Sequence, residues 1–250
     1  MMNVDDIFSK AIEISLKKSK IHQKNLQYHI NEKFNNNDID IKYIDSIIKF
    51  IKSSPITTRI NNISFFDDFN TNPIIKNRFD GKSIETLIND SYYQYRFKKE
   101  SKLFNKVYDN IEPSYRVKYG SINIKNLIEG DDNTSSYGNI TIFYKNEIKN
   151  RCTFTYGNSE ETMMYICTYE YFAHLLFHMP IEDIKLIIEI IENNKSIKKM
   201  RTYIEVQIHG IINILNDVEK ITIPHTYFKE YENKIKNFIE KYPQVKIIFY

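Results

Sequence analysis

The segment Tyr203–Gly210 constrains the fold most strongly, because polar and apolar residues alternate along it without a break until the terminal glycine. Successive side chains of a β-strand point to opposite faces, so this alternation predicts a strand over Thr202–His209. One face of that strand is apolar and faces the core. The other face carries four polar residues, Tyr203, Glu205, Gln207 and His209.

The polar face of this strand has two interpretations from periodicity alone. It is typical of the solvent side of an exposed antiparallel strand. It is equally compatible with a cleft lined by a carboxylate, an amide and an imidazole. The sequence pattern leaves both interpretations open.

The first part of the chain has the spacing of amphipathic helices and turns. We predict helices over Val4–Lys18, Gln23–Phe34, residues 43–51 and Lys82–Asn110. Asn61–Arg78 is polar and contains a proline, which predicts a loop. Residues 1–110 are therefore expected to form a helical N-terminal region.

The second part of the chain changes to short β-branched and aromatic runs bounded by Gly and Asn. We predict strands over Tyr119–Ile124, Ile140–Tyr144, Cys152–Tyr156, Thr202–His209, Glu219–Ile223 and Val245–Tyr250. We predict helices over Glu160–His178, Ile181–Asn193 and Tyr227–Lys241. Together with the N-terminal helices, this gives an α+β protein whose sheet lies in residues 111–250.

Composition excludes several classes of protein. With only six glycines among 250 residues, the chain has no GxxxxGK[ST] loop, GxGxxG turn or GxSxG elbow, which argues against P-loop NTPases, Rossmann dehydrogenases and α/β-hydrolases. Cys152 and Cys167 lack the spacing of a disulfide framework or a zinc site. The residues Met1–Asp6 have no signal-peptide pattern and no run is long enough to span a membrane, so we expect an intracellular protein.

Glu170, His174 and His178 have the i, i+4, i+8 spacing of metal ligands on one helical face. However, the first histidine is not followed by the glutamate of a zinc-protease helix, and Leu and Phe fill the space between the histidines. We therefore predict no metal site.

Three strand motifs suggest chemistry. They are Arg116–Gly120, Phe154–Ser159 and Glu205–Gly210. The stretch from Arg116 to Pro224 resembles an uncharacterised domain-of-unknown-function family of bacteria, viruses and eukaryotes. Its members carry Arg-x-x-Tyr-Gly, Phe-Thr-x-Gly-Asp-Ser and Glu-x-Gln-x-His-Gly motifs, and Asn158 stands here where that family usually has Asp.

That family is in turn similar to the ADP-ribosyltransferase superfamily, whose members have an Arg or His, then a Ser/Thr-rich strand, then a Glu in the same order. The resemblance implies a split-sheet core with flanking helices in residues 111–250. It also implies that NAD is the substrate. The expected activity is mono-ADP-ribosyl transfer, or NAD glycohydrolysis, with an unknown protein or nucleic-acid acceptor and no metal.

The resemblance implies a role for each motif residue. Glu205 is the expected catalytic residue, because cleaving the bond between nicotinamide and ribose builds oxocarbenium charge that a carboxylate stabilises. Arg116 is expected to hold the pyrophosphate or the nicotinamide ribose. The other expected NAD-site residues, which position these groups or stack on nicotinamide, are Thr153, Thr155, Tyr156, Ser159, Gln207 and His209. Arg116, Thr155 and Glu205 are thus expected to meet in one cleft beside an aromatic ring.

Departures from the superfamily pattern leave alternatives. Enzymes that modify arginine usually carry Glu or Gln two residues before the catalytic Glu, and Tyr203 stands there, so arginine modification is not expected. If Gln207 held the catalytic position instead, the domain would lack its carboxylate. The alternative function is an inactive binding protein of the same fold, in which the basic run of Lys17, Lys18, Lys20 and Lys24 contacts an acidic partner or nucleic acid.

Overall fold

A computed structural model describes residues 4–61, 63–69, 72–159, 166–193 and 196–250 of the chain. Within this part, eight strands form one mixed sheet in the order β5-β4-β6-β2-β1-β3-β7-β8. The strands are β1 Ile56–Ile60, β2 Lys118–Ile122, β3 Ile140–Tyr144, β4 Cys152–Tyr156, β5 Cys167–Thr168, β6 Ile204–Ile208, β7 Val218–Ile223 and β8 Lys246–Phe249. The β7–β8 pair is parallel, and the other pairs are antiparallel.

Helices flank the sheet, so the predicted α+β class is confirmed. The helices of the described part are α1 Val4–Asn35, α2 Tyr43–Ser53, α3 Phe65–Phe69, α4 Ile84–Asn89, α5 Ser91–Leu103, α6 Ala173–His178, α7 Ile181–Asn193, α8 Ile214–Asp217 and α9 His225–Lys241. The predicted bounds of β3, β4 and α7 agree with the structure, because β3 and β4 are short β-branched and aromatic runs next to Gly and Asn, and α7 is an amphipathic segment that begins after Pro180. No helix in the described ranges combines the length and apolarity that a bilayer span requires.

Two N-terminal helix predictions are corrected. The two helices predicted before residue 35 are one continuous helix, α1, in which the Ser15 hydroxyl donates to the Ala11 carbonyl at 2.8 Å and the Ser19 hydroxyl to the Leu16 carbonyl at 3.1 Å. These bonds satisfy the buried hydroxyls without breaking the helix. The single helix predicted from residue 82 to 110 divides at Asp90, whose carboxylate accepts from the Tyr92 amide at 2.8 Å and caps α5.

Strand β1 was not predicted, and it lies inside the region expected to be helical. It pairs with β2 on one side and with β3 on the other, near the middle of the sheet. Its sequence, Ile-Thr-Thr-Arg-Ile, has three consecutive polar residues and so shows neither alternation nor an apolar run. The boundary at residue 110 stays a prediction, but the sheet takes one strand from the chain before it.

The helix predicted over Glu160–His178 is corrected in its described part. Residues 160–165 of this prediction lie outside the described residues. Cys167 and Thr168 form β5, paired with Phe154 and Thr153 of β4, and α6 begins only at Ala173. Pairing with an edge strand therefore overrides the helical spacing of this segment.

The two faces of the sheet have different surroundings. The apolar residues of β4 and β6, including Phe154, Ile204 and Val206, belong to the large hydrophobic core that also contains side chains of α2, α6, α7 and α9. A smaller core covers the other face near His209. Its buried members are Ile7, Phe8, Ala11, Leu103, Phe104, Tyr108, Ile111, Val117 and Ile166. Both faces of β6 are therefore buried, which excludes the interpretation of its polar face as a solvent side.

Gly138 ends the short 3₁₀ segment Asp132–Tyr137 with a φ of 140° and lies against the end of β1. A Cβ atom there would be 2.1 Å from the carbonyl carbon and oxygen of Ile60. We expect Gly138→Ala to lower the free energy of unfolding by about 3 kcal/mol or more, because the clash is with backbone that cannot rotate away.

Gly81→Ala is the matched control, since its φ is 72° and nothing lies within 4 Å of the added atom. We expect it to cost about 1 kcal/mol, from the left-handed backbone alone. Urea unfolding of both variants measures the difference. Equal losses would contradict the close approach of Gly138 to β1.

Candidate functional site

A cavity of about 390 Å³ opens against strands β1, β2 and β6, with α5 and the segment 75–78 on its other side. The described residues that line it are Thr57, Thr58, Arg59, Ile75, Lys76, Asn77, Arg78, Arg96, Lys118, Tyr119, Gly120, Ser121, Thr134, Tyr137, Tyr144, Asn158, Tyr203 and Glu205. Most of them are polar or aromatic. A cavity of this size accommodates a small organic molecule or most of a larger one.

A polar row crosses four neighbouring strands, and its members on β1, β2 and β6 line the cavity. Glu205 on β6 lies opposite Thr155 on β4 and Ser121 on β2, and Ser121 lies opposite Thr57 on β1. Gly120, next to Ser121, lies so close to β1 that a Cβ there would be 2.7 Å from the Thr57 carbonyl oxygen. Antiparallel pairing therefore brings together polar residues from chain positions as distant as 57 and 205.

Glu205 lines the cavity although only 4% of its surface is exposed. Its Oε1 atom accepts hydrogen bonds from the Ser159 backbone N–H at 3.2 Å and from Gln207 Nε2 at 2.9 Å. The Tyr203 hydroxyl lies 3.5 Å from Oε2, a long contact. Burial raises the pKa of Glu205, while its bonds to Ser159 and Gln207 and the charge of Arg96 oppose this rise.

A buried chain of hydrogen bonds continues behind Glu205. The Gln207 amide also donates to Thr155 Oγ1 at 3.1 Å and accepts from the Thr153 hydroxyl at 2.9 Å. Thr153 Oγ1 lies 3.1 Å from His209 Nε2, and the Tyr108 hydroxyl lies 2.6 Å from His209 Nδ1. Burial lowers the pKa of His209 to about 3, so this imidazole is neutral. The motif residues of β4 and β6 are thus connected, although only Glu205 among them reaches the cavity.

Arg116 does not line the cavity. Its side chain is fully buried, with Nε donating to Glu100 Oε2 at 2.7 Å and Nη1 to the Tyr108 carbonyl at 2.8 Å. Its guanidinium also lies 4.6 Å from the centre of the Phe97 ring. The expected convergence of Arg116 with Glu205 in one cleft is therefore corrected: this arginine pairs with a carboxylate of α5 instead.

Tyr156 does not line the cavity either. It lies next to Thr155 along β4, so its side chain points to the opposite face of the sheet and joins the large core. There its hydroxyl donates to Asp183 of α7. The aromatic rings in the cavity wall are instead those of Tyr119, Tyr137, Tyr144 and Tyr203.

Arg96, which sequence reasoning missed, lines the cavity, and its charge opposes the rise that burial causes in the pKa of Glu205. Its guanidinium lies 4.0 Å from the centre of the Tyr119 ring, and its Nε lies 3.7 Å from Glu100 Oε1. The Tyr119 hydroxyl donates to the same Oε1 at 2.8 Å. Glu100 thus holds Arg116 with one oxygen and contacts Arg96 and Tyr119 with the other. Nothing in the spacing of α5 distinguishes Arg96 from the lysines around it.

The charge of the lining residues is strongly unequal. Among the described lining residues, the cations are Arg59, Lys76, Arg78, Arg96 and Lys118, and the one carboxylate is Glu205. Asn158 is also in the wall, at the position where the resembling family usually has Asp, so this chain has a neutral amide there. The cavity is suited to an anion that places one cationic or electron-deficient group near Glu205.

The basic run of α1 is partly used within the fold. Lys17 pairs with Glu13 at 2.6 Å, and Lys18 donates to the Leu103 carbonyl at 2.9 Å. Lys20 and Lys24 are exposed. A contact of this run with an acidic partner stays a prediction.

The histidine spacing considered for a metal does not form one helical face, because Glu170 precedes α6. Burial lowers the pKa of His174 to about 2, and its ring lies 4.6 Å from that of His178. Over the residues that the structure describes, no three His, Cys, Asp or Glu side chains are grouped for metal binding.

Comparison with known proteins supports the coarser part of the resemblance. Residues 69–185 match a family model described as "Protein of unknown function (DUF3626)". The match includes α5 with Arg96 and the motifs of β2 and β4, and it ends before Glu205. No curated protein matches the chain.

Removing one partner of the buried Arg116–Glu100 pair leaves an uncompensated charge in the core. We therefore expect Arg116→Met to lower the free energy of unfolding by about 3–5 kcal/mol. Lys17→Met is the control, because it breaks an ion pair that is exposed on both sides. We expect no measurable loss from this control, and urea unfolding measures both variants. A small loss in Arg116→Met would contradict the burial of this pair.

Proposed function

We propose that this protein cleaves the bond between nicotinamide and ribose in NAD and transfers the ADP-ribosyl group to water or to a protein or nucleic-acid acceptor. The observation that carries the proposal is the position of Glu205, a buried carboxylate in the wall of a cavity whose other charged residues are cations. An ADP-ribosyltransferase-like core remains part of the proposal.

The carboxylate of Glu205 has the chemistry that this reaction requires. As the C–N bond breaks, nicotinamide leaves with the electron pair and the ribose acquires oxocarbenium charge. A carboxylate fixed in a site of low water content stabilises that charge without reorganising. The two donors on Oε1 fix the Glu205 side chain, and Oε2, whose contact with the Tyr203 hydroxyl is long at 3.5 Å, is the oxygen that we assign to the sugar. The acceptor then bonds to the anomeric carbon and loses a proton.

The cationic wall supports a substrate with a diphosphate. NAD carries one negative charge on each of two adjacent phosphates, and guanidinium groups bind such oxygens with paired donors. Arg59 and Arg96 border the cavity from opposite elements, β1 and α5. Arg96 thus takes the ligand contact that the resemblance implied for Arg116, and Arg116 holds Glu100, which contacts Arg96.

Aromatic side chains support the same substrate. Tyr137 is half exposed, and its ring lies 6.5 Å from that of Tyr203 in an edge-on arrangement at the cavity wall. Flat rings at the entrance give a planar base such as nicotinamide or adenine a surface on which to stack. These two tyrosines replace Tyr156 in the proposed site.

Nicotinamide release from NAD tests the proposal directly, comparing the wild type with Glu205→Gln. The glutamine keeps an oxygen for the Ser159 and Gln207 donors but removes the charge. We expect kcat to fall by about 100-fold or more, with little change in KM, because the lost interaction forms in the transition state. Glu147→Gln, an exposed carboxylate elsewhere, is the control and should be unchanged.

Equal NAD cleavage by folded Glu205→Gln and wild type would contradict the catalytic role of Glu205. A wild type that binds NAD without cleaving it would favour the alternative function, a catalytically inactive binding protein of the same fold. Addition of candidate protein and nucleic-acid acceptors, with labelled NAD, then distinguishes transfer from hydrolysis.

The role of Arg96 is tested by binding alone. We expect Arg96→Gln to weaken the affinity for ADP-ribose by about 10-fold or more, since a hydrogen bond to a charged group contributes about 1.5–3 kcal/mol. Arg201→Gln is the matched control, because that side chain is exposed and outside the cavity wall. Isothermal titration calorimetry measures both, and unchanged affinity in Arg96→Gln would contradict the diphosphate assignment.

A further inference from the structure

The hydrogen-bond chain behind Glu205 has a direction that the chemistry of its members fixes. An ionised carboxylate only accepts, so the Gln207 group 2.9 Å from Glu205 Oε1 is the NH₂ group. The carbonyl end of the Gln207 amide then only accepts, and the single hydroxyl proton of Thr153 points to it at 2.9 Å. The orientation of the Gln207 amide and the direction of the Thr153 hydroxyl are therefore both set by Glu205 Oε1, which accepts.

The same logic fixes the tautomer of His209. Because the Thr153 proton is given to Gln207, Thr153 Oγ1 accepts at its 3.1 Å contact with His209, and Nε2 carries the proton. The imidazole is neutral, so Nδ1 has a lone pair and accepts from the Tyr108 hydroxyl at 2.6 Å. The donors therefore point in one direction, from Tyr108 through His209, Thr153 and Gln207 to the carboxylate.

We propose that Gln207, Thr153, His209 and Tyr108 are positioning residues that keep the Glu205 carboxylate ionised and turned toward the cavity. The inference rests on the proposed function, because it assigns these residues to the same catalytic carboxylate. None of the four residues lines the cavity, and each acts on Glu205 through its hydrogen-bond partner. Bonds that point the same way polarise one another, so each donor strengthens the next.

Other groups that face Glu205 act on its ionisation as well. Arg96 of α5 favours the charged form, while burial opposes it. Tyr119 of β2 and Tyr203, which directly precedes β6, are neutral phenols near it, and burial raises the pKa of each. The hydrogen-bond chain and the charge of Arg96 both favour the ionised form of Glu205, whereas burial opposes it.

A branch of the chain supports the same direction. The second N–H of Gln207 donates to Thr155 Oγ1, and the Thr155 proton goes to the Gly157 carbonyl at 3.1 Å. Thr155 therefore fixes the plane of the amide but supplies no donor toward Glu205. Protonation of Glu205 at Oε2 would leave Oε1 as a neutral and therefore weaker acceptor at the end of this hydrogen-bond chain.

The test compares Thr153→Val with Thr153→Ser. Valine keeps the shape of threonine and removes the hydroxyl, which leaves the Gln207 carbonyl without its donor and the His209 N–H without its acceptor. Serine keeps the hydroxyl. The readout is the titration of the Glu205 carboxyl carbon by NMR in protein labelled with ¹³C at the glutamate carboxyl, with the signal assigned by its loss in Glu205→Gln.

We expect the pKa of Glu205 to rise by about one unit in Thr153→Val, a tenfold change in its protonation equilibrium, and to remain near the wild-type value in Thr153→Ser. Thr222→Val is the matched control, because it also removes a fully buried threonine hydroxyl, one that donates to the Ile128 carbonyl on a different part of the sheet. It should leave the Glu205 titration unchanged.

Tyr108→Phe is a second variant, which tests the proposal even if Thr153→Val does not fold. It removes the first donor of the chain and keeps the ring, so we expect a smaller rise in the same pKa. An unchanged Glu205 titration in folded Thr153→Val or Tyr108→Phe would overturn the proposal. So would an equal rise in Thr222→Val, which would indicate a general effect of destabilisation.

The kinetics of NAD cleavage distinguish a failure of this inference from a failure of the proposed function. In a wild type that cleaves NAD, Thr153→Val should lower kcat and shift the acidic limb of the pH profile upward, with KM within about twofold, because an ionised carboxylate is needed only for the chemical step. Thr153→Ser should restore both. A shifted titration in a protein that does not cleave NAD would support the chain and contradict the proposed function.

Discussion

The burial of both faces of β6 is the constraint on which the site depends. A strand covered on one side only can direct Glu205, Gln207 and His209 into water, but here all three are buried, and a second small core, formed by the start of α1 and the segment after α5, covers His209. Buried polar groups are costly unless they are hydrogen-bonded. Each of these side chains therefore needs a partner, and β4 and the segment around Tyr108 supply them.

Glu100 is a second buried group, and it connects the hydrogen-bond chain between Tyr108 and Glu205 to another part of the cavity wall. Its two oxygens are divided between Arg116 on one side and Tyr119 with Arg96 on the other. Arg116 in turn donates to the carbonyl of Tyr108, whose hydroxyl begins the chain that ends at Glu205. The arginine of the first motif thus supports the site from behind, while Arg96 borders the cavity.

The predictions from sequence succeeded where one local pattern was sufficient. Short β-branched and aromatic runs located β3 and β4, an amphipathic pattern after Pro180 located α7, and strict alternation located β6 with Glu205 and Gln207 on one face. The predictions failed for β1, whose three central residues are all polar, and for β5, where pairing with β4 replaced a helical spacing. In the site, Arg116 and Tyr156 are strand or strand-end residues that point away from the cavity, and alternation along a strand does not reveal what covers each face.

The sequence by itself determined six of the eight strands that the structure describes, the residues of β6 that share a face, and the single carboxylate among them. Only the tertiary structure decided which arginines line the cavity together with that carboxylate, Arg96 among them. Arg96 lies on a helix in a lysine-rich segment, and the periodicity of α5 is compatible with a fully solvated position. Its place in the cavity wall results from the contact of α5 with β2 through Glu100 and Tyr119, a long-range contact that no local spacing encodes.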